Sequence, residues 1–151
     1  MMSYQLLKLI HILSATLMIG TGLGSAFYLF FTYKKAKAST VKDVLKLVVL
    51  ADSIFTLPSV IVQLITGIFL SNLMNLLYTK WFWIVLIASI IVLVLWLIAV
   101  FIQYKLKRLL EEKEEITPQF HDLMKQWYFL GIFSFSGSIF LYYLMVYKPF
   151  I

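Results

Sequence analysis

The sequence predicts an all-α membrane protein, a four-transmembrane-helix up-and-down bundle, and three observations carry that prediction. Hydrophobic residues make up 62% of the 151-residue chain and charged residues only 13%, about half the charged share of a soluble domain. The uncharged residues gather into four runs, Leu9–Tyr33, Ser53–Thr79, Trp81–Tyr104 and Gln126–Tyr147, each long enough for the ~20 residues that cross a bilayer as a helix. Hydrocarbon offers the backbone no hydrogen-bond partners, so a helix is the form such runs take. Ten of the thirteen basic residues then fall in alternate connectors: Lys34, Lys35, Lys37, Lys42 and Lys46 in the first, and Lys105, Lys107, Arg108, Lys113 and Lys125 in the third.

Taken with their flanks, the runs give helices at about 4–34, 46–78, 80–115 and 118–147, so that 1–151 is one transmembrane domain. The positive-inside rule puts the basic connectors in the cytoplasm. The expectation is a multi-pass protein of the inner (plasma) membrane with both termini outside the cytoplasm. The net charge of +6 is then explained by loops held against an anionic leaflet, and nucleic acid is not an expected partner. No basic segment precedes the first run, and that run is longer than a signal-peptide core, so it is expected to remain as a span. Cysteine is absent, which removes disulfides, thiolate metal sites and cysteine nucleophiles.

The first helix is the most distinctive. It carries His11, the only histidine inside an apolar run, together with Gly20, Gly22, Gly24, Ser25 and Ala26. At 3.6 residues per turn, His11, Ser14, Ala15, Met18, Gly22 and Ser25 share one stripe, a polar start followed by small side chains. Gly20 and Gly24 have GxxxG spacing, and Gly131, Ser134, Gly137 and Ser138 give the last helix a small face of its own. Close packing of the first helix on the fourth is therefore expected.

The second helix opens with Asp52, which reads either as an intramembrane acid or, more simply, as an interfacial carboxylate paired with Lys42 or Lys46. Pro58 should kink the helix and free the carbonyl four residues before it. Gln63, Thr66 and Gly67 lie together on one face, an interhelical contact or a pocket wall. The third helix opens on the aromatic belt Trp81, Phe82, Trp83 and contains only Ser89 and Trp96 as features, so it is expected to face lipid most. Its extension offers Lys107–Glu111 and Arg108–Glu112 at i,i+4 spacing, and the nearby acidic run reads as a solvated face. Thr117-Pro118 supplies the cap and first residue of the last helix. His121 there reads as a wet interfacial histidine or a pH-sensitive contact.

No phosphate loop, nucleophile elbow, HExxH or paired carboxylates are present. His11 and His121 fall near opposite membrane faces, ~30 Å apart, so they are not expected to hold one metal or haem together. His11 reads as a buried imidazole bonded to a neighbouring helix or, because ionisable residues inside a membrane are functional candidates, as a ligand.

Several segments resemble the bacterial integral-membrane family called domain of unknown function 2269: Lys8 through Ala15, the Gly20–Gly24 run, and Asp52 through Pro58 to Gln63 and Thr66-Gly67. The Trp81–Trp83 cluster, Trp127 to Gly131, and Leu144-Met145-Val146 with Lys148-Pro149 extend the resemblance over all four helices. More distantly the chain is similar to HemJ-type four-helix haem proteins, which share the first-helix histidine, the tryptophan opening the third helix and a Lys-Pro-Phe ending, here Lys148-Pro149-Phe150. That resemblance implies haem b or a porphyrin as cofactor, with His11 on the iron, and a redox-related role. It departs at Val85, where the pattern has a lysine nearby. Met145 is the second ligand such a site would take, with Tyr142 as the alternative, and Met18, Gly22 and Gln63 are the expected wall. The alternative role is a non-catalytic small subunit or scaffold, whose partners are the bilayer, a homo-oligomer or a larger membrane complex.

Overall fold

A computed structural model describes residues 3–149 as five α-helices in four spans; Phe150 lies outside the described residues. α1 is Tyr4–Lys35, started by Ser3, whose hydroxyl accepts from the Leu6 amide at 3.3 Å. α2 (Ala38–Ala51) runs through a π-helical turn, Asp52–Thr56, into α3 (Leu57–Leu73), and the three make one continuous span. α4 is Lys80–Lys113 and α5 is Pro118–Tyr147, each started by a threonine cap, Thr79 and Thr117. The connections close on residues of positive φ, Asn75 at 56° and Glu114 at 55°. All four spans are long and apolar enough to cross a membrane.

The second span begins at Ala38 and ends at Leu73, not at 46 and 78. The reason lies in α2, where Val41, Leu45, Val48 and Val49 are buried. That is an i, i+4, i+7, i+8 stripe, so the lysines occupy the outer face of an amphipathic helix rather than a loop. Pro58 acts as expected on its neighbourhood. It brings no N–H to the ladder, and the chain resolves the deficit just upstream by widening into the π turn.

The spans associate as two pairs, α1 with the α2–α3 span and α4 with α5. The expected close packing of α1 on α5 is not found. They touch only sparingly, and a Cβ added at Gly20, Gly24 or Gly131 would meet nothing within 4 Å. Small residues permit close approach, but here the burial of α1 goes to α3. The glycine that does serve packing is Gly137, where a Cβ would fall 2.5 Å from Val92 Cγ2, so α4 and α5 meet closely there. Lipid exposure departs from expectation too: the α5 span is 6% buried in its most apolar window against 11% for α4.

Two apolar clusters tie the pairs together. At the basic end Leu29, Val41, Leu45, Val48, Leu106, Leu110, Phe120, Met124 and Trp127 draw on α1, α2, α4 and α5. At the opposite end Leu76, Trp81, Val85 and Leu144 form a smaller cluster, pinned by the Trp81 indole N–H donating to the Leu144 carbonyl at 2.8 Å. Between the clusters the two pairs part. At the basic end Arg108 meets Glu112 at 2.7 Å, as the spacing predicts, and Lys46 meets Asp43 at 3.4 Å, all exposed.

Because Gly137 sits against Val92 and Gly24 faces open space, their replacements should behave oppositely. Gly137→Val is expected to overpack the α4–α5 contact at about 1–3 kcal/mol, and Gly24→Leu to stay within about 0.5 kcal/mol of wild type. Thermal unfolding of the detergent-solubilised variants measures both.

Candidate functional site

The space between the helix pairs is a cavity of about 970 Å³ running from Tyr4, Lys8 and Lys148 at one end to Asp52, Gln103 and Trp127 near the basic end. That volume lies at the upper end of small-molecule and cofactor sites. Its walls are small on α1, where Ala15, Gly22 and Ser25 face it, and aromatic on α4 and α5, where Trp81, Trp96 and Tyr128 do.

The polar part of the wall is built by α1 and α3. Helical spacing sets His11 and Ser14 on one face of α1 and Gln63 and Thr66 on the facing side of α3. His11 Nδ1 lies 2.7 Å from Thr66 Oγ1, and His11 Nε2 lies 3.0 Å from Gln63 Nε2. The proton positions follow from the partners. Thr66 Oγ1 lies 2.6 Å from the Val62 carbonyl, to which it gives its only proton, so it accepts from Nδ1–H. Nε2 is then bare and accepts from the Gln63 amide. Gln63 Oε1 in turn accepts from Ser14 Oγ at 2.6 Å. The imidazole rests on Gly67, where a Cβ would come 3.3 Å from its Cε1. The expected alternatives for this histidine both have a footing: a neighbouring helix bonds the ring, and the ring lines the cavity.

All six residues expected at the site, His11, Met18, Gly22, Gln63, Tyr142 and Met145, line this one cavity. His11 with Gln63 forms a direct contact; Tyr142 and Met145 come from α5, and Met145 packs on the smaller apolar cluster. His121 lies far off at the basic end, exposed, with its Nδ1 bonded to the Tyr33 hydroxyl. Among the described residues no three His, Asp or Glu side chains group as a metal site.

Asp52 is where the simpler expectation fails. It pairs with neither Lys42 nor Lys46 but is 6% exposed, accepting from Thr56 Oγ1 at 2.8 Å and from Gln103 Nε2 at 3.0 Å. The α2 stripe accounts for it: Asp52 follows Leu45 by seven residues and Val48 by four, so it continues their buried face, away from the lysines. Thr56, Gln103 and Tyr128 also line the cavity, and none of them was expected at the site. A glutamine inside the run Trp81–Tyr104 is the one available signal for Gln103.

Replacing Gln63 by leucine strands His11 Nε2, while the Ser14 hydroxyl keeps the His11 carbonyl 3.0 Å away. The expected loss is about 1–3 kcal/mol, read as a lower unfolding midpoint in detergent, with Gln63→Asn recovering part of it.

No curated protein and no solved structure matches the chain. One family model does, over residues 5–149, which takes in every helix and every residue of the cavity wall except Tyr4. On that match the chain belongs to the family described as predicted integral membrane protein (DUF2269).

Proposed function

We propose that this integral membrane protein holds haem b or a porphyrin in the cavity, with His11 Nε2 toward the iron, in a redox-related role. The observation that carries the reading is the state of His11: Nδ1–H is tied to Thr66 Oγ1, which leaves Nε2 as the unprotonated nitrogen. A hydrogen bond from the far ring nitrogen in this way orients ligand histidines elsewhere. The remaining features fit the group. The cavity, about 970 Å³, lies within the size range of cofactor sites. The body of the cavity is apolar, and Lys8 and Lys148 at its mouth suit two propionates. Gln63 must turn its amide away from Nε2 to admit the iron.

Haem bound here would supply one-electron chemistry or gas binding at the iron. The chain's own work is to orient the imidazole through Thr66, to keep water from the apolar wall, and to offer Met145 or Tyr142 from α5. With the basic connectors cytoplasmic, both termini are outside and His11, three residues past Lys8, sits about 5 Å below that residue.

A second reading, a non-catalytic subunit or scaffold, draws on a different observation. Both imidazole nitrogens already have protein partners, and Gly20 and Gly24 have nothing near them, as a docking face for a second copy or another membrane protein.

Haem quantification with visible spectra decides between the two. Wild type purified from haem-replete cells is expected to show a Soret band, lost in His11→Ala and weakened or shifted in Met145→Leu. Equal haem in wild type and His11→Ala ends the ligand assignment, and a colourless wild type favours the scaffold. For orientation, a Lys37→Cys variant should resist a membrane-impermeant thiol reagent added from outside intact cells; rapid labelling reverses the topology.

A further inference from the structure

At the basic end of the same cavity lies a second constellation, independent of what occupies the His11 end. Of the chain's seven acidic residues, Asp43, Asp122 and the four glutamates are exposed, and Asp52 alone is buried. Its carboxylate has no cationic partner: the salt bridges among the described residues are Lys46–Asp43, Arg108–Glu112 and Lys125–Asp122. Two neutral donors, Thr56 Oγ1 and Gln103 Nε2, are all that meets it. A buried ion so placed is costly unless paired or bound to a cation.

The second observation is Gln103 itself. It is 4% exposed, and its Oε1 is buried without a hydrogen-bond partner. A strong acceptor left unanswered beside a carboxylate is unfavourable twice over, through desolvation and through repulsion. One kind of guest repairs both faults: a cation that takes oxygen ligands from the two side chains at once. Rotation of the carboxamide brings Oε1 to Oδ2, the atom Nε2 now faces at 3.0 Å, and Thr56 Oγ1 supplies a third oxygen.

We propose that Asp52, Gln103 and Thr56 form an intramembrane binding site for a monovalent alkali cation, entered from the cavity. The charge selects the valence. One carboxylate neutralises one positive charge, and divalent ions that prefer oxygen draw on more acidic ligands than this site has. The ligand set of carboxylate, carbonyl and hydroxyl oxygen suits hard ions. Its position also fits, since membrane proteins place Na⁺ where a helix leaves regular geometry, and Asp52 opens the π turn.

The test is thermal unfolding of the purified full chain in detergent, titrated with NaCl, KCl or choline chloride at matched ionic strength, beside equilibrium dialysis with radioactive Na⁺. Wild type is expected to show a saturable rise in Tm with an alkali cation beyond that in choline, and binding of one ion per chain. Asp52→Asn should abolish both, and Gln103→Leu should weaken binding at least tenfold, while Glu112→Gln on the exposed face leaves them intact. Should Asp52→Asn fail to fold, Gln103→Leu and wild-type dialysis still decide. Identical behaviour in sodium, potassium and choline with no Na⁺ retained overturns the proposal, as does a response that survives in Asp52→Asn. Stabilisation by acid alone, with the three salts equivalent, overturns it too, in favour of a protonated carboxyl.

Discussion

A polar side chain inside the apolar span needs a partner within the protein, because hydrocarbon supplies no substitute for water. Two interhelical ties at different depths serve that need. His11 and Ser14 on α1 engage Thr66 and Gln63 on α3, and Asp52 in the π turn engages Gln103 on α4. Interhelical bonds of this kind contribute only about 0.6–2 kcal/mol each. Their effect is positional: the first fixes α1 against α3, and the second fixes that pair against α4.

The cavity follows from how those ties share the work with the apolar clusters. Phe120, Met124, Leu106 and Leu110 close the basic end, and Trp81 with Leu144 closes the other. In between, α1 presents Ala15, Gly22 and Ser25, which are too small to reach the opposite wall. Large side chains there would have filled the space and made an ordinary bundle. Small ones leave 970 Å³ bounded by titratable groups at both ends. A membrane protein gains little by burying apolar surface against itself rather than lipid, so such a gap is tolerated where a soluble core would collapse.

Spans, their alternation and the stripe around His11 were legible in the sequence because each depends on spacing along one chain. Charge-free runs mark spans, and Ser14, Ala15, Met18 and Gly22 share a face by helical geometry alone. Gln63 and Thr66 were legible as one face for the same reason. The partner of that face was not. Gly20, Gly24 and Gly131 announce only that something can come near, and α1 in fact lies along α3. Asp52 was misplaced for a different reason. Lys46 suggested an interface, yet α2 runs as an amphipathic helix from Ala38, and Asp52 continues the buried stripe of Val41, Leu45 and Val48. Gln103 went unmarked because its role exists only opposite Asp52.

His11 and Asp52 share one device. His11 faces the Gln63 carboxamide and Asp52 faces that of Gln103. A lysine or arginine opposite Asp52 would satisfy the carboxylate permanently and leave nothing for a guest. A hydroxyl opposite His11 would answer only one of its states. A carboxamide carries a donor and an acceptor on one rotor, so it can satisfy the bare side chain and, turned over, stand beside it as a ligand or make way. At the His11 end that rotation uncovers Nε2; at the Asp52 end it brings Oε1 to the carboxylate. On the two proposed sites, each end of the cavity is held by a glutamine that a guest would displace, Gln63 at one and Gln103 at the other, and that glutamine has to turn for its site to open.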